Sequence, residues 1–209
     1  MLKTTCPQCG APIEFTNKAS LFATCVTCGS SLLREDINLK NLGKMAELQD
    51  DGSVIQIGVT GTHDARDFRV VGRIQRGYAR GFWNDWFVAF ADGEAAWLSE
   101  AMGFYSILYD AKPDAALPSW ERMELGETIS IGGGTFWIKS ILKGECAGAE
   151  GELPYAVPSH EPGVFVDLAA ESYGCASISY VGSTLRTIAG THEEFGALNL
   201  KGIVRPEGW

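Results

Sequence analysis

Three scarcities narrow the problem before any motif is read. No stretch approaches the roughly 18 apolar residues that a membrane-crossing helix needs, so no transmembrane helix is expected. Positive charge is short: 17 Lys and Arg stand against 26 Asp and Glu, a net charge of −9. Nucleic-acid binding draws its affinity from cations that displace counterions from phosphate, and attraction to anionic lipid needs the same charge, so both partners are disfavoured. Histidine is rare, with 3 in 209 residues, which leaves little imidazole for acid–base or metal chemistry. The N-terminus, Met1-Leu2-Lys3-Thr4-Thr5-Cys6, has no apolar core and no small-residue cleavage site. No signal peptide is expected there, and a cytoplasmic, reducing location is inferred. In that setting paired cysteines hold metal more often than they form disulfides.

Glycine is abundant: 25 residues, nearly twice the usual share of about 7%. Glycine disfavours helix interiors, so the excess favours short strands and tight turns. Apolar residues make up 45% of the chain, enough for a buried core.

The clearest chemistry lies at the start. Cys6-Pro7-Gln8-Cys9-Gly10 is followed by Cys25-Val26-Thr27-Cys28-Gly29, with 15 residues between Cys9 and Cys25. A CxxC–x15–CxxC pattern has the spacing of a four-cysteine zinc site. Two intervening residues let each thiolate pair converge on one ion, and glycine after each pair accepts the positive φ of a tight turn. Pro12–Thr16 and Leu21–Thr24 flank a polar turn and read as a hairpin. A segment of about 30 residues cannot bury a stabilising core alone, so the metal supplies folding energy. Cys6, Cys9, Cys25 and Cys28 fill all four positions, which defines a closed, structural zinc site. The alternatives are disulfides, free thiols, or iron in a rubredoxin-like site.

Residues 1–33 are thus read as a zinc ribbon and 34–53 as a linker with a short helix around Asn41–Gln49. The remainder reads as a duplicated antiparallel β domain, two barrel-like or sandwich-like units in an all-β chain. The first unit spans 54–111, the connector 112–122, and the second unit with its C-terminal strands 123–209. Ile57-Gly58 precedes Phe68-Arg69-Val70 by the same count as Leu125-Gly126 precedes Phe136-Trp137-Ile138, an offset of 68. Val88–Asp92 resembles Gly163–Asp167, and Gly103–Tyr109 resembles Gly174–Tyr180. Together the three blocks suggest an internal repeat. In the first unit Phe68, Val70 and Ile74 are assigned to one face, and Arg69, Arg73 and Gln75 to the other. The tail Ser183–Lys201 is read as two or three further strands.

Gly72-Arg73-Ile74, Trp83-Asn84-Asp85-Trp86, Asp92-Gly93, Trp97-Leu98, Gly151-Glu152-Leu153-Pro154 and Asp167 occur in an order and spacing that resembles a bacterial family. It is a domain of unknown function, often preceded by a four-cysteine ribbon. The likeness covers roughly Ser53 to Lys201 plus the ribbon, and departs at Asp85, where the family pattern has Glu. The resemblance implies an accessory role in a membrane-stress or envelope-associated system, since members are encoded near membrane-stress, channel-like and polyamine-synthesis genes. It carries over no catalytic residue.

Other candidates are weaker. Gly61-Thr62-His63-Asp64 and Gly190-Thr191-His192-Glu193 look alike, and with Glu152 they define an alternative, a metal-dependent hydrolase or other enzyme. The plainer reading is two polar turns, because no third ligand lies at a known spacing. Cys146 and His160 would make a nucleophile pair, but a free cysteine more often behaves as a small buried hydrophobe. Glu150 and Glu152 are candidates for an acid–base pair or a cation site; the plainer reading is that Glu152 anchors the turn through backbone amides or is solvated. Arg66, Arg69, Arg73, Arg76 and Arg80 make a basic stripe, best read as ion pairing with the abundant carboxylates. Trp83 and Trp120 are candidate interface anchors. Nucleic-acid binding through the ribbon is disfavoured: Lys3, Lys18 and Arg34 against Glu14 and Glu35 leave +1 over residues 1–35. The leading expectation is a non-enzymatic binding or adaptor module that docks onto a protein.

Overall fold

The structure, a computed structural model, describes residues 2–36 and 38–204. It is all-β. The N-terminal part carries β1 (Leu2–Thr5), β2 (Pro12–Phe15), β3 (Phe22–Thr24), β4 (Ser30–Glu35) and β5 (Asn38–Lys44). A first run comes next: β6 (Thr60–His63), β7 (Arg66–Tyr78), β8 (Gly81–Phe90), β9 (Ala95–Ala101) and β10 (Phe104–Asp110). A second run has β11 (Thr128–Ile131), β12 (Gly134–Leu153), β13 (Pro162–Ala169), β14 (Gly174–Val181) and β15 (Thr184–Glu193). Among the described residues helical geometry is confined to two 3-10 turns, Trp120–Arg122 and Phe195–Leu198.

The two runs do not close separately. Strands β7, β8, β9, β10, β15, β14, β13 and β12 are neighbours in that order, and β12 pairs back onto β7. The result is one closed antiparallel ring, with each run supplying half of it. Closure removes the exposed edges that two isolated meanders would present. The seams join β7 to β12 and β10 to β15, strands of like rank in their runs. Local geometry also repeats: Gly58 N donates to Val70 O at 2.8 Å and Gly126 N donates to Ile138 O at 2.9 Å. The third block of sequence likeness is out of step, because Gly103–Tyr109 lies on β10 and Gly174–Tyr180 on β14, which hold different ranks.

Apolar side chains pack on both surfaces of the ring. Outside the first run, Trp86, Val88, Leu98 and Ile107 are covered by Ile55, Val59 and Leu198. Outside the second, Ile138, Val166 and Ile178 pack with Met123 and Ile131. Inside lie Ile74, Phe87, Trp97 and Leu108, clustered with Phe22 of the ribbon, Met45 and Leu153. The face assignment on β7 needs correction: Phe68 and Val70 face outward, whereas Ile74 faces the interior. A β-bulge between Val70 and Gly72 inserts one residue, and one extra residue reverses the alternation beyond it. Arg69, opposite Ala89, and Arg73, opposite Trp86, therefore lie on opposite faces.

Two further expectations fail. The ribbon hairpin does not form: β2 pairs with β1, whereas β3 pairs with β4 and β12. Pairing with the long strand β12 gives β3 a partner that a local turn cannot supply. The short helix around Asn41–Gln49 is also absent. Asn38–Lys44 is a strand on β4, and Gly43 has φ 110°, far from helical values. The next residues run as a strap across the barrel. Buried Gln75 receives Gln49 N at 2.7 Å and donates to Gln49 O at 2.8 Å, as a neighbouring strand would. The tail holds one strand, β15, a 3-10 turn, and a single bridge between Lys201 and Thr60.

A polar network fastens the strap. Arg73 reaches Asp51 at 2.6 Å and Asn84 at 2.9 Å, and stacks 4.7 Å above the Trp86 ring. Trp86 Nε1 and Ser53 Oγ both donate to Glu100. The ribbon is tied as firmly. Glu152 is buried and accepts from Thr16 N at 2.8 Å, Thr16 Oγ1 at 2.5 Å and Asn17 N at 3.3 Å. Beside it Gly72 lies so close to β12 that a Cβ would stand 1.8 Å from the Glu152 carbonyl oxygen.

Two outcomes are expected. Gly72→Ala forces β7 and β12 apart and should cost at least about 3 kcal/mol in urea unfolding. Asp51 sits below the ordinary carboxylate range: burial opposes this, but the Asn84 hydrogen bond and the Arg73 and Gln75 contacts outweigh it. A lowered folded pKa contributes stability above the unfolded value of about 3.9 that is lost as pH falls through the folded value. Asp51→Asn should therefore weaken the fold at neutral pH and flatten its acid dependence, read from melting temperature against pH.

Candidate metal centre and barrel lumen

Each cysteine pair sits in a turn of the same construction. Gly10 N donates to Cys6 O at 2.9 Å and Gly29 N to Cys25 O at 2.8 Å, with both glycines at positive φ, 76° and 69°. The twin turns bring the four thiols together, with all Sγ atoms within 4.8 Å of one another. Cys6 to Cys28 is 3.8 Å and Cys9 to Cys25 is 3.7 Å. A tetrahedral ion with metal–sulfur bonds of about 2.3 Å separates its sulfurs by about 3.8 Å, so the donor set fits one four-coordinate, thiophilic ion. All six cysteines are free thiols. Chiefly the Ser30 hydroxyl, 3.2 Å away, draws the Cys28 thiol down to about 6.

The enzyme-like grouping of His63, His192 and Glu152 does not assemble. His63 is buried between Asp64 and Glu193, at 3.3 and 3.6 Å. His192 and Glu193 are successive residues of a strand and point to opposite faces, so His192 turns away from His63. It shares a 2.8 Å hydrogen bond with Ser106 Oγ instead. Glu152 is committed to the ribbon. Cys146 and His160 do not form a pair: burial pushes the Cys146 thiol up to about 11, its Sγ is directed to Gly148 O, and His160 turns its ring to Glu145. Glu150 pairs with Arg73 at 3.6 Å, apart from the Glu152 clamp. The arginine stripe is largely spent on ion pairs, with Arg66 on Asp92 and Glu94, Arg73 on Asp51 and Arg76 on Asp85. Trp83 packs edge-on against Phe165 at 5.1 Å, and Trp120 lies 4.9 Å beneath Lys143, so neither stands free as an anchor.

The polar lining of the barrel is a feature that sequence reasoning misses. Strand register turns Arg76, Asp85, Ser99, Ser106, Asp167, Cys175 and Arg186 to the inner face. Arg76 Nε meets Asp85 at 2.6 Å, and Ser99 Oγ donates to the same carboxylate at 3.1 Å. Asp167 accepts from Ser140 at 2.7 Å, and its surroundings, burial first and then the Asp85 charge, raise its pKa. The one local signal is Asp85, the single charged residue of the largely apolar strand β8; Arg76 is lost among the other arginines of β7. The β7–β8 hairpin brings these two together, whereas Asp167 and Arg186 reach the same inner face only through the ring.

The residues that carry the family resemblance have structural roles. Arg73 and Asn84 hold the strap, Asp85 pairs with Arg76, Gly72 permits the close approach of β12, and Glu152 holds the ribbon. DUF4178, a domain of unknown function, matches residues 56–192, and the chain belongs to this family. No curated protein and no solved structure matches it.

Metal binding has a direct check. Protein prepared without chelator should carry about one ion per chain, since four thiolates serve one centre. Replacing Cys9 and Cys25 with serine should abolish it. Protons compete for the thiolates, so retention should fall as the solution is acidified, measured by elemental analysis after dialysis.

Proposed function

We propose that this is a cytoplasmic bacterial zinc-ribbon protein that acts as a non-enzymatic binding module, accessory to a membrane-stress system. The ion is zinc: four sulfur donors in a closed shell suit a redox-inert structural ion and leave no position for catalytic water. Its role is to fold the ribbon, which β3 and Glu152 then weld to the barrel. The barrel is a duplicated unit, a reading supported by the 68-residue offset and the matching Gly58 and Gly126 hydrogen bonds.

One observation carries the docking role. Large apolar side chains stand in water at one end of the ring: Met102, Phe104 and Tyr173 are 84%, 70% and 76% exposed. Met102 lies in the β9–β10 turn with Phe104 directly after it, and Tyr173 lies in the β13–β14 turn. The two turns are drawn together because Ser106 pairs with His192, whose N–H donates to Tyr173 O. Clustered exposed apolar groups of this kind mark interaction surfaces. The accessory role rests on the family resemblance, and the absence of an assembled catalytic grouping among the described residues favours binding over turnover.

The test is capture from native extract with wild-type protein and a Phe104→Ser, Tyr173→Ser variant of unchanged melting temperature. A partner held by the wild type and released at least about tenfold more readily by the variant supports the reading, in line with loss of aromatic anchors. Equal capture by both, or a turnover that survives the variant, overturns it.

A further inference from the structure

The four clustered thiols are unequally protected. Cys6 and Cys25 are buried, at 2% and 1% exposure, whereas Cys9 is exposed and Cys28 half-buried. Cys9 and Cys28 border a shallow surface cleft that Gln8, Asn41 and Lys44 also line. Thiolates that solvent reaches, beside a cation, are the reactive kind. The two cysteines outside the cluster, Cys146 and Cys175, are buried, and burial pushes both thiols up to about 11. The point of entry for an oxidant is therefore the cluster, and Cys9 is its most accessible sulfur.

Short steps join this cluster to the barrel. Gly29 closes the turn begun at Cys25, and its carbonyl accepts from Met45 N at 2.9 Å. Met45 is buried in the interior cluster with Phe22, Ile74, Phe87 and Trp97. Ser159 holds the same point, with its Oγ 3.0 Å from Met45 Sδ and accepting from Ala46 N at 3.1 Å. The strap then runs on to Gln75 and Arg73. Just before it, β5 is the edge of its sheet and pairs only with β4 among the described residues. The Cys25–Gly29 turn thus supports the start of the strap, and folding of so small a metal-bound unit is coupled to its ion.

We propose that the cysteine centre is an oxidation-sensitive latch on the strap, opened by a hydroperoxide that reacts at Cys9. The Cys9 thiolate attacks one peroxide oxygen, the O–O bond breaks and hydroxide leaves, giving a sulfenic acid. The Cys25 thiolate, 3.7 Å away, displaces a second hydroxide and forms the disulfide. The two sulfurs together give up two electrons, the peroxide is reduced to two hydroxides, and the ion keeps its charge. Cys6 and Cys28 alone are too few ligands for a four-coordinate site. The ion is lost, the Cys25–Gly29 turn relaxes, and Met45 and the strap are released. A dithiol reverses the oxidation. The latch rests on the reading of the ion as zinc and is independent of the apolar rim.

The test treats the zinc-loaded full chain with a small excess of hydrogen peroxide. Zinc release is followed with a chromophoric chelator, disulfides are located by peptide mapping, and the strap is probed by trypsin cleavage after Lys44. Expected are loss of the ion, a Cys9–Cys25 link, and cleavage after Lys44 at least about tenfold faster, as local opening exposes the backbone. Dithiothreitol with added zinc should restore protection. Cys9→His keeps four ligands of a kind zinc accepts but removes the accessible thiolate, so release should slow at least about tenfold. If that variant takes up no zinc, the mapping and cleavage of the wild type decide. Zinc retained under peroxide, a disulfide that omits Cys9, equal release from zinc-loaded Cys9→His, or unchanged cleavage after release overturns the latch and leaves the zinc reading standing. Untreated protein that carries a different ion, or none, overturns the zinc reading and the latch with it.

Discussion

Everything in this molecule passes through β12. It is 20 residues long, and it pairs in turn with β11, β13, β7 and β3. Its middle closes the barrel and its end becomes part of the ribbon's sheet. That continuity needs two backbones to approach more closely than side chains permit, which is why Gly72 and Gly151 face each other. It also needs a buried carboxylate to meet the ribbon's orphan amides, which is the work of Glu152. A buried carboxylate is tolerated only with its acceptors filled, so the ribbon and the barrel specify one another.

The division of polar residues follows from closure. A ring has an inside and an outside, and each strand contributes to both. Here both surfaces are buried over much of their area, the outer by the strap and tail, the inner by the ring itself. Charged groups therefore occur where they have partners: Arg73 with Asp51 and Asn84 outside, Arg76 with Asp85 inside.

The residues that carry the family resemblance are easily mistaken for a catalytic set. Arg73, Asn84, Asp85, Trp86 and Glu152 are the residue types of an active site. Most of these side chains instead hold the strap, the ribbon and the barrel in register. His63 and His192 show how strand parity decides such questions: their sequence surroundings are alike, yet His192 faces Ser106 inside while its neighbour Glu193 reaches His63.

The four-cysteine cluster and the all-β class are legible in the chain alone. These are local properties: a CxxC turn folds from its own few residues, and glycine content and alternation act within a strand. The ribbon hairpin, the helix around Asn41–Gln49 and the faces of β7 are where local patterns mislead. Each of these depends on a distant partner, namely β12 for β3, β4 and Gln75 for the strap, and a bulge against β8 for Arg69 and Arg73. The lumen is out of reach of the sequence for the same reason. Arg76 and Asp85 meet across one hairpin, but Asp167 and Arg186 lie far along the chain, and only closure of the ring places all four on one inner face. Pairing between strands is non-local, and its register is set by packing across the whole ring rather than by any window of sequence.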